Sequence, residues 1–196
     1  MEQGRPNLPE QVTIEMRSLQ LFICLMLMLS SVASAAETPE GCLRQVFGGY
    51  CLGGDIRELA RRNAGFMHQQ REGERFALIY PAGRDKDYVM AHRNRIYKVL
   101  RKYEPSTNIS YRDLRQLLTG KYGEPVDQSR FPLHAKGLAA KIGAIRRGEG
   151  KMLLYWYPAD MPWHIELGWS REMGLNLAYL DSEEQARQRL EDSSNY

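Results

Sequence analysis

Apolar and polar positions along the chain fall into an order that occurs twice. In 55–65, DIRELARRNAG, Ile56, Leu59 and Ala60 recur at helical spacing behind a capping Asp55, with Glu58 three residues on as a capping-box partner and Gly65 as a stop. A polar linker follows. Then RFALIYPAGRD (75–85), YVMAH (88–92) and RIYKVLRKY (95–103), with a turn at Arg93-Asn94, alternate as three antiparallel strands. The second copy opens with SYRDLRQLLTGKYGEP (110–125). Ser110 and Asp113 predict its capped start, Tyr111, Leu114, Leu117 and Leu118 form its apolar stripe, and Gly120, Gly123 and Pro125 end it. KMLLYWYP (151–158), WHIELGW (163–169) and GLNLAYL (174–180) form a second three-stranded meander, and SEEQARQRLED (182–192) a closing helix.

The expected fold is therefore α+β. Two helix-plus-three-stranded meander units, about 55–103 and 110–181, form one sheet packed on helices, with a C-terminal helix. Tyr-Pro-Ala recurs at Tyr80-Pro81-Ala82 and Tyr157-Pro158-Ala159. This shared order points to an internal duplication, with a single irregular α+β sheet as the alternative. The intervening 126–150 offers a short helix or an ordered loop over 136–147. Its basic residues do not line one face, so it reads as a solvated connector rather than a membrane-surface helix.

The segments GGDIREL (53–59), YRDLRQLLTGKYG (111–123) and LAYLD (177–181) give the layout a topological resemblance to small secreted domains. The families concerned are the β-lactamase inhibitor protein type and the outer-membrane-assembly lipoprotein BamE. The chain lacks the lipid-attachment cysteine of the lipoproteins. The resemblance implies protein binding rather than catalysis.

Residues 19–29, LQLFICLMLML, are an apolar run followed by Ala33-Ser34-Ala35, which predicts a cleavable signal peptide ending at Ala35 and a true start at Met16 beside Arg17. The run is shorter than the roughly 20 residues of a membrane span, which disfavours the alternative of an uncleaved anchor. Leu21-Phe22-Ile23 before Cys24 disfavours a lipoprotein. The remaining 36–196 suits one domain with a real core. Losing the leader removes two basic and three acidic residues, leaving 25 against 21 and a net charge of +4. That charge is dispersed, so nucleic-acid binding is not expected.

Two cysteines then remain, Cys42 and Cys51, and in an oxidising compartment they predict a disulfide. Their spacing fits neither a C-x-x-C redox centre nor paired zinc ligands, and Asp55 would repel phosphate from the neighbouring glycines. Closing so short a loop stabilises by about 2–3 kcal/mol. No metal and no cofactor are expected.

Strand alternation places Met152, Leu154 and Trp156, Ile165, Leu167 and Trp169, and Leu175, Leu177 and Tyr179 on a core face. Tyr155 and Tyr157 point the other way, and Trp163 is grouped with them as a strand-start residue. Exposed, these three form a candidate partner-binding face; the alternative is that 126–150 folds over it. His68, His92, His134 and His164 are dispersed, and no nucleophile elbow occurs. No catalytic residue is assigned. The expectation is a periplasmic or secreted, non-enzymatic module that binds or inhibits a protein partner of the envelope, with no membrane span once the leader is cleaved. The alternatives are a small hydrolase centred on His164 with Asp160 and Glu166, and a structural envelope component.

Overall fold

A computed structural model describes residues 41–194 of the 196-residue chain. The predicted leader and its cleavage site lie outside the described residues. The fold is α+β. An eight-stranded, wholly antiparallel sheet has the order β3-β4-β5-β6-β10-β9-β8-β7, beside a separate two-stranded hairpin, β1-β2. The strands are β1 (Arg44–Val46), β2 (Tyr50–Leu52), β3 (His68–Glu72), β4 (Arg75–Ala82), β5 (Asp85–His92), β6 (Arg95–Lys102), β7 (Val126–Asp127), β8 (Met152–Trp156), β9 (Trp163–Ser170) and β10 (Gly174–Asp181). The helices are α1 (Ile56–Arg62), α2 (Asn108–Tyr122), α3 (Gly137–Arg147) and α4 (Ser182–Ser194).

Both expected meanders are present, and they meet through β6 and β10, which pair from Lys98↔Leu180 to Lys102↔Asn176. Arg93 and Asn94 both adopt positive φ, 49° and 69°, the backbone a two-residue hairpin turn needs between β5 and β6. The strand β3 was not expected, because HQQRE carries no apolar alternation. It forms because the two-residue turn at Gly73-Glu74 folds it back on β4, with Glu72 opposite Arg75.

Asp55 caps α1 as expected, accepting from the backbone N–H groups of Arg57 at 2.6 Å and Glu58 at 3.2 Å. Glu58 does not close the capping box; its carboxylate instead reaches Arg62 at 3.5 Å, and α1 stops at Arg62. The cap of α2 is Thr107, not Ser110. The extended Thr107 accepts from the Ser110 N–H at 3.0 Å, so the helix begins three residues earlier than its pattern predicts. Asp181 caps α4 by accepting from Glu183 and Glu184 N–H, both at 3.1 Å.

Of the two forms expected for 136–147 the helix is present, and its reading as a solvated connector is corrected: in α3 Leu138, Ile142 and Ile145 recur at i, i+4 and i+7, with Ile142, Ala144 and Ile145 buried. It packs on the same face of the sheet as α2, away from Tyr155 and Tyr157. One continuous core lies beneath these helices and the β1-β2 hairpin, built on Leu78, Val89, Val99, Leu177, Leu167, Leu154 and Trp156.

The disulfide joins Cys42 and Cys51, with Cα atoms 5.4 Å apart, and closes the β1-β2 hairpin. Gly53, at φ +89°, permits the sharp exit from it. A Cβ there would lie 2.5 Å from the Gly41 carbonyl oxygen, so no other residue fits. The hairpin is held to the sheet by polar anchors. Arg101 makes two 2.7 Å bonds to buried Asp87 and lies 4.7 Å over the Phe47 ring. Asp87 also adds its charge to the burial that pushes the Tyr50 phenol above its ordinary value. Arg44 stands 4.4 Å over the Trp163 ring.

Candidate functional site

Helices α2 and α3 stand apart on the sheet, and between them opens a groove of about 670 Å³. Its floor is Met152 and Leu154, the helix-facing residues of β8, and Leu138 and Tyr111 contribute apolar walls. Tyr111 is fixed by burial and by Trp169 at 5.9 Å between ring centroids. The rim is charged. Arg112 and Arg115 project from α2 and Lys141 from α3, facing Glu124 and Asp127 from the connecting segment.

Within that rim Asp127 is ionised. Partial burial pushes its carboxyl up, but hydrogen bonds from Ser129, including the backbone N–H at 2.8 Å, and the charges of Lys141 and Arg115 outweigh this and hold it below the usual range. Burial lifts the Tyr111 phenol above its ordinary value, with Arg115 opposing and Asp127 adding to the rise. Thr119 lines the same groove, and its buried Oγ1 has no hydrogen-bond partner. The first turn of α3 carries no side-chain cap where Gly137 and Leu138 border the groove. The groove therefore combines an apolar floor, an excess of cations and unused hydrogen-bonding capacity. Such a surface suits a ligand that is apolar on one side and anionic on the other.

The sequence-based candidates lie on the opposite face of β8 or are buried elsewhere. Tyr157 is 58% exposed and Tyr155 half-buried; their rings stack at 6.0 Å, and Tyr157 stacks on His164 at 5.3 Å. Trp163 does not join them. It is in phase with Ile165, Leu167 and Trp169, is 3% exposed beneath Arg44, and belongs to the core, so its assignment to a partner-binding face is corrected.

His164 is buried, with Nδ1 2.9 Å from the Ser182 hydroxyl. Ser182 follows Asp181, whose carboxylate accepts from the N–H groups of Glu183 and Glu184. Glu166 pairs instead with Lys98 at 3.7 Å, and Asp160 sits in a turn at φ 57°.

Tyr111, Arg115, Thr119, Asp127 and Lys141 were not singled out by the sequence as a site. The available signal was the i, i+4, i+7 stripe of Leu138, Ile142 and Ile145, which puts a second helix beside α2 and so creates a groove. Among the described residues no group of three or more His, Cys, Asp or Glu is placed to hold a metal ion. No helix among them is long and apolar enough to cross a membrane.

No protein-family model matches the chain, and no curated protein matches it in sequence. Among solved structures, a cysteine-rich secretory protein from Staphylococcus aureus subsp. aureus Mu50 is similar over 69% of this chain, at 10% identity and a TM-score of 0.39. The chain spans 46% of that protein's length.

Proposed function

We propose that the protein is a non-enzymatic recognition module of the periplasm or the extracellular space. In this reading it takes an extended segment of a protein partner, acidic and apolar in alternation, into the groove between α2 and α3. The observation that carries the reading is the groove itself: Met152 and Leu154 as a dry floor under Arg112, Arg115 and Lys141. A peptide laid along it would bury alternate apolar side chains on the floor and direct its carboxylates to the two guanidinium forks and the ammonium group. The location rests on the predicted leader and on the Cys42–Cys51 disulfide, which an oxidising compartment favours.

The test uses fluorescently labelled peptides of alternating Glu and Leu, with alternating Lys and Leu peptides as the charge-reversed control, followed by anisotropy. The acidic peptide is expected to bind and the basic one not to. Arg115→Glu/Lys141→Glu should weaken binding at least about tenfold, the size of one or two lost charge-assisted contacts. Tyr155→Ala/Tyr157→Ala should leave binding unchanged. Equal binding of both peptides, or an unaltered affinity in the charge-reversed variant, would overturn the reading. Loss of binding only in the tyrosine variant would move recognition to the other face of β8.

A further inference from the structure

The outer edge of β3 bears a pattern that is complementary to itself. All five residues, His68 to Glu72, are exposed, and β3 ends the sheet on this side. The two-residue turn makes Glu72 and Arg75 the closing hydrogen-bonded pair, and antiparallel pairs alternate in this respect. The N–H and C=O groups of Glu72, Gln70 and His68 therefore point toward β4. Those of Gln69 and Arg71 point outward, where no strand among the described residues accepts them.

We propose that a second copy of this chain pairs there, β3 against β3 and antiparallel, about a two-fold axis through Gln70. Two independent constraints favour that register. Hydrogen bonding requires outward-pointing residues to face one another, and with Gln70 on the axis Gln69 faces the partner's Arg71, twice over. Charge then agrees. His68 faces the partner's Glu72 on one side of the sheet, Arg71 faces an amide on the other, and Gln70 faces its own copy. A shift placing Arg71 on the axis would set two guanidinium groups opposite each other, which is repulsive. The charges that deter indiscriminate edge pairing thus favour the register centred on Gln70, which is also the one that pairs all five residues of β3. The interface is isologous and closes on itself, giving a dimer with the two sheets continuous across the axis.

The test uses the exported chain with Cys24 replaced by serine throughout. Gln70→Cys puts two thiols opposite each other at a non-hydrogen-bonded pair, where Cα atoms approach to about 4.5 Å, within disulfide range. It should form a covalent dimer under mild oxidation at least about tenfold faster than Arg112→Cys, an exposed site on α2. Adding Arg71→Pro removes, besides an exposed guanidinium, an outward N–H, so β3 keeps its ladder with β4 while two intermolecular bonds are lost. Cross-linking should then fall about tenfold or more, with the unfolding midpoint and circular dichroism retained. In the unsubstituted chain, sedimentation equilibrium should show a concentration-dependent dimer that Glu72→Arg weakens. Cross-linking of Gln70→Cys no faster than Arg112→Cys, or a rate indifferent to Arg71→Pro, would refute the pairing. Peptide binding in the groove is measured separately, and neither of its outcomes bears on this one.

Discussion

Replacing Arg101 by methionine is the most informative single perturbation of the scaffold. Its partner Asp87 is held by two 2.7 Å bonds, and the two side chains differ sharply in access to water: 26% for Arg101 and 2% for Asp87. Without the guanidinium, Asp87 is left as a buried charge that has lost both of these bonds. Breaking a buried pair in this direction costs about 3–5 kcal/mol. The reverse truncation should be milder. In Asp87→Asn the guanidinium can turn to solvent, and the loss is about 1–2 kcal/mol. Removing both charges together, as Asp87→Leu/Arg101→Met, should recover most of the stability, because no unpaired charge remains. Urea unfolding followed by tryptophan fluorescence and circular dichroism measures all three. With a slope of about 2 kcal/mol per molar urea, Arg101→Met should lower the midpoint by about 1.5–2.5 M. Equal costs for the two single variants, or a double variant no better than Arg101→Met, would show that burial asymmetry does not govern this pair.

Two further outcomes follow from the same region. Reduction, or Cys42→Ser/Cys51→Ser, should destabilise by about 2–3 kcal/mol through the freed hairpin, with β4 to β10 keeping their circular dichroism below the transition; an unchanged melting temperature would refute it. Burial pushes the Tyr103 phenol up to about 12, with Arg101 opposing. The folded state thus favours the neutral phenol, so stability should hold below pH 10 and decline as pH rises from there toward 12, where the unfolded chain ionises first. Phenolate absorbance should resolve a late-titrating class that shrinks in Tyr103→Phe; a single step near pH 10 for all tyrosines of the folded protein would contradict this.

Elements whose periodicity is complete in the sequence are those the structure returns unchanged. The alternations in 75–103 and 151–180 define both meanders, and Asn94 beside Arg93 marks a two-residue turn. Where the signal was tertiary, reading the chain fell short. Trp163 belongs by spacing to the series Ile165, Leu167 and Trp169, but its place at the strand start hid the phase. β3 has no apolar face to announce it and exists because β4 offers it a ladder. The helix α3 carries its stripe in residues diluted by Gly143 and by basic neighbours. The groove depends on Arg115, Asp127 and Lys141 converging from three segments. No local spacing encodes that convergence, so no motif was available to find.

The junction of β6 with β10 has a consequence for how the molecule comes into being. Its partners, Lys102 with Asn176 and Lys98 with Leu180, are far apart in the chain, whereas each meander pairs strands that follow one another directly in sequence. The two halves can organise early and separately, but the barrier to joining them waits for the last strand to arrive. Until residues 174–181 are available, β6 is an open edge displaying Val99 and Leu100 rather than the interior of a sheet. A chain cut short before that point is therefore not a smaller stable version of this protein. It is an unfinished template for adding strands, and its natural fate is association with other incomplete chains.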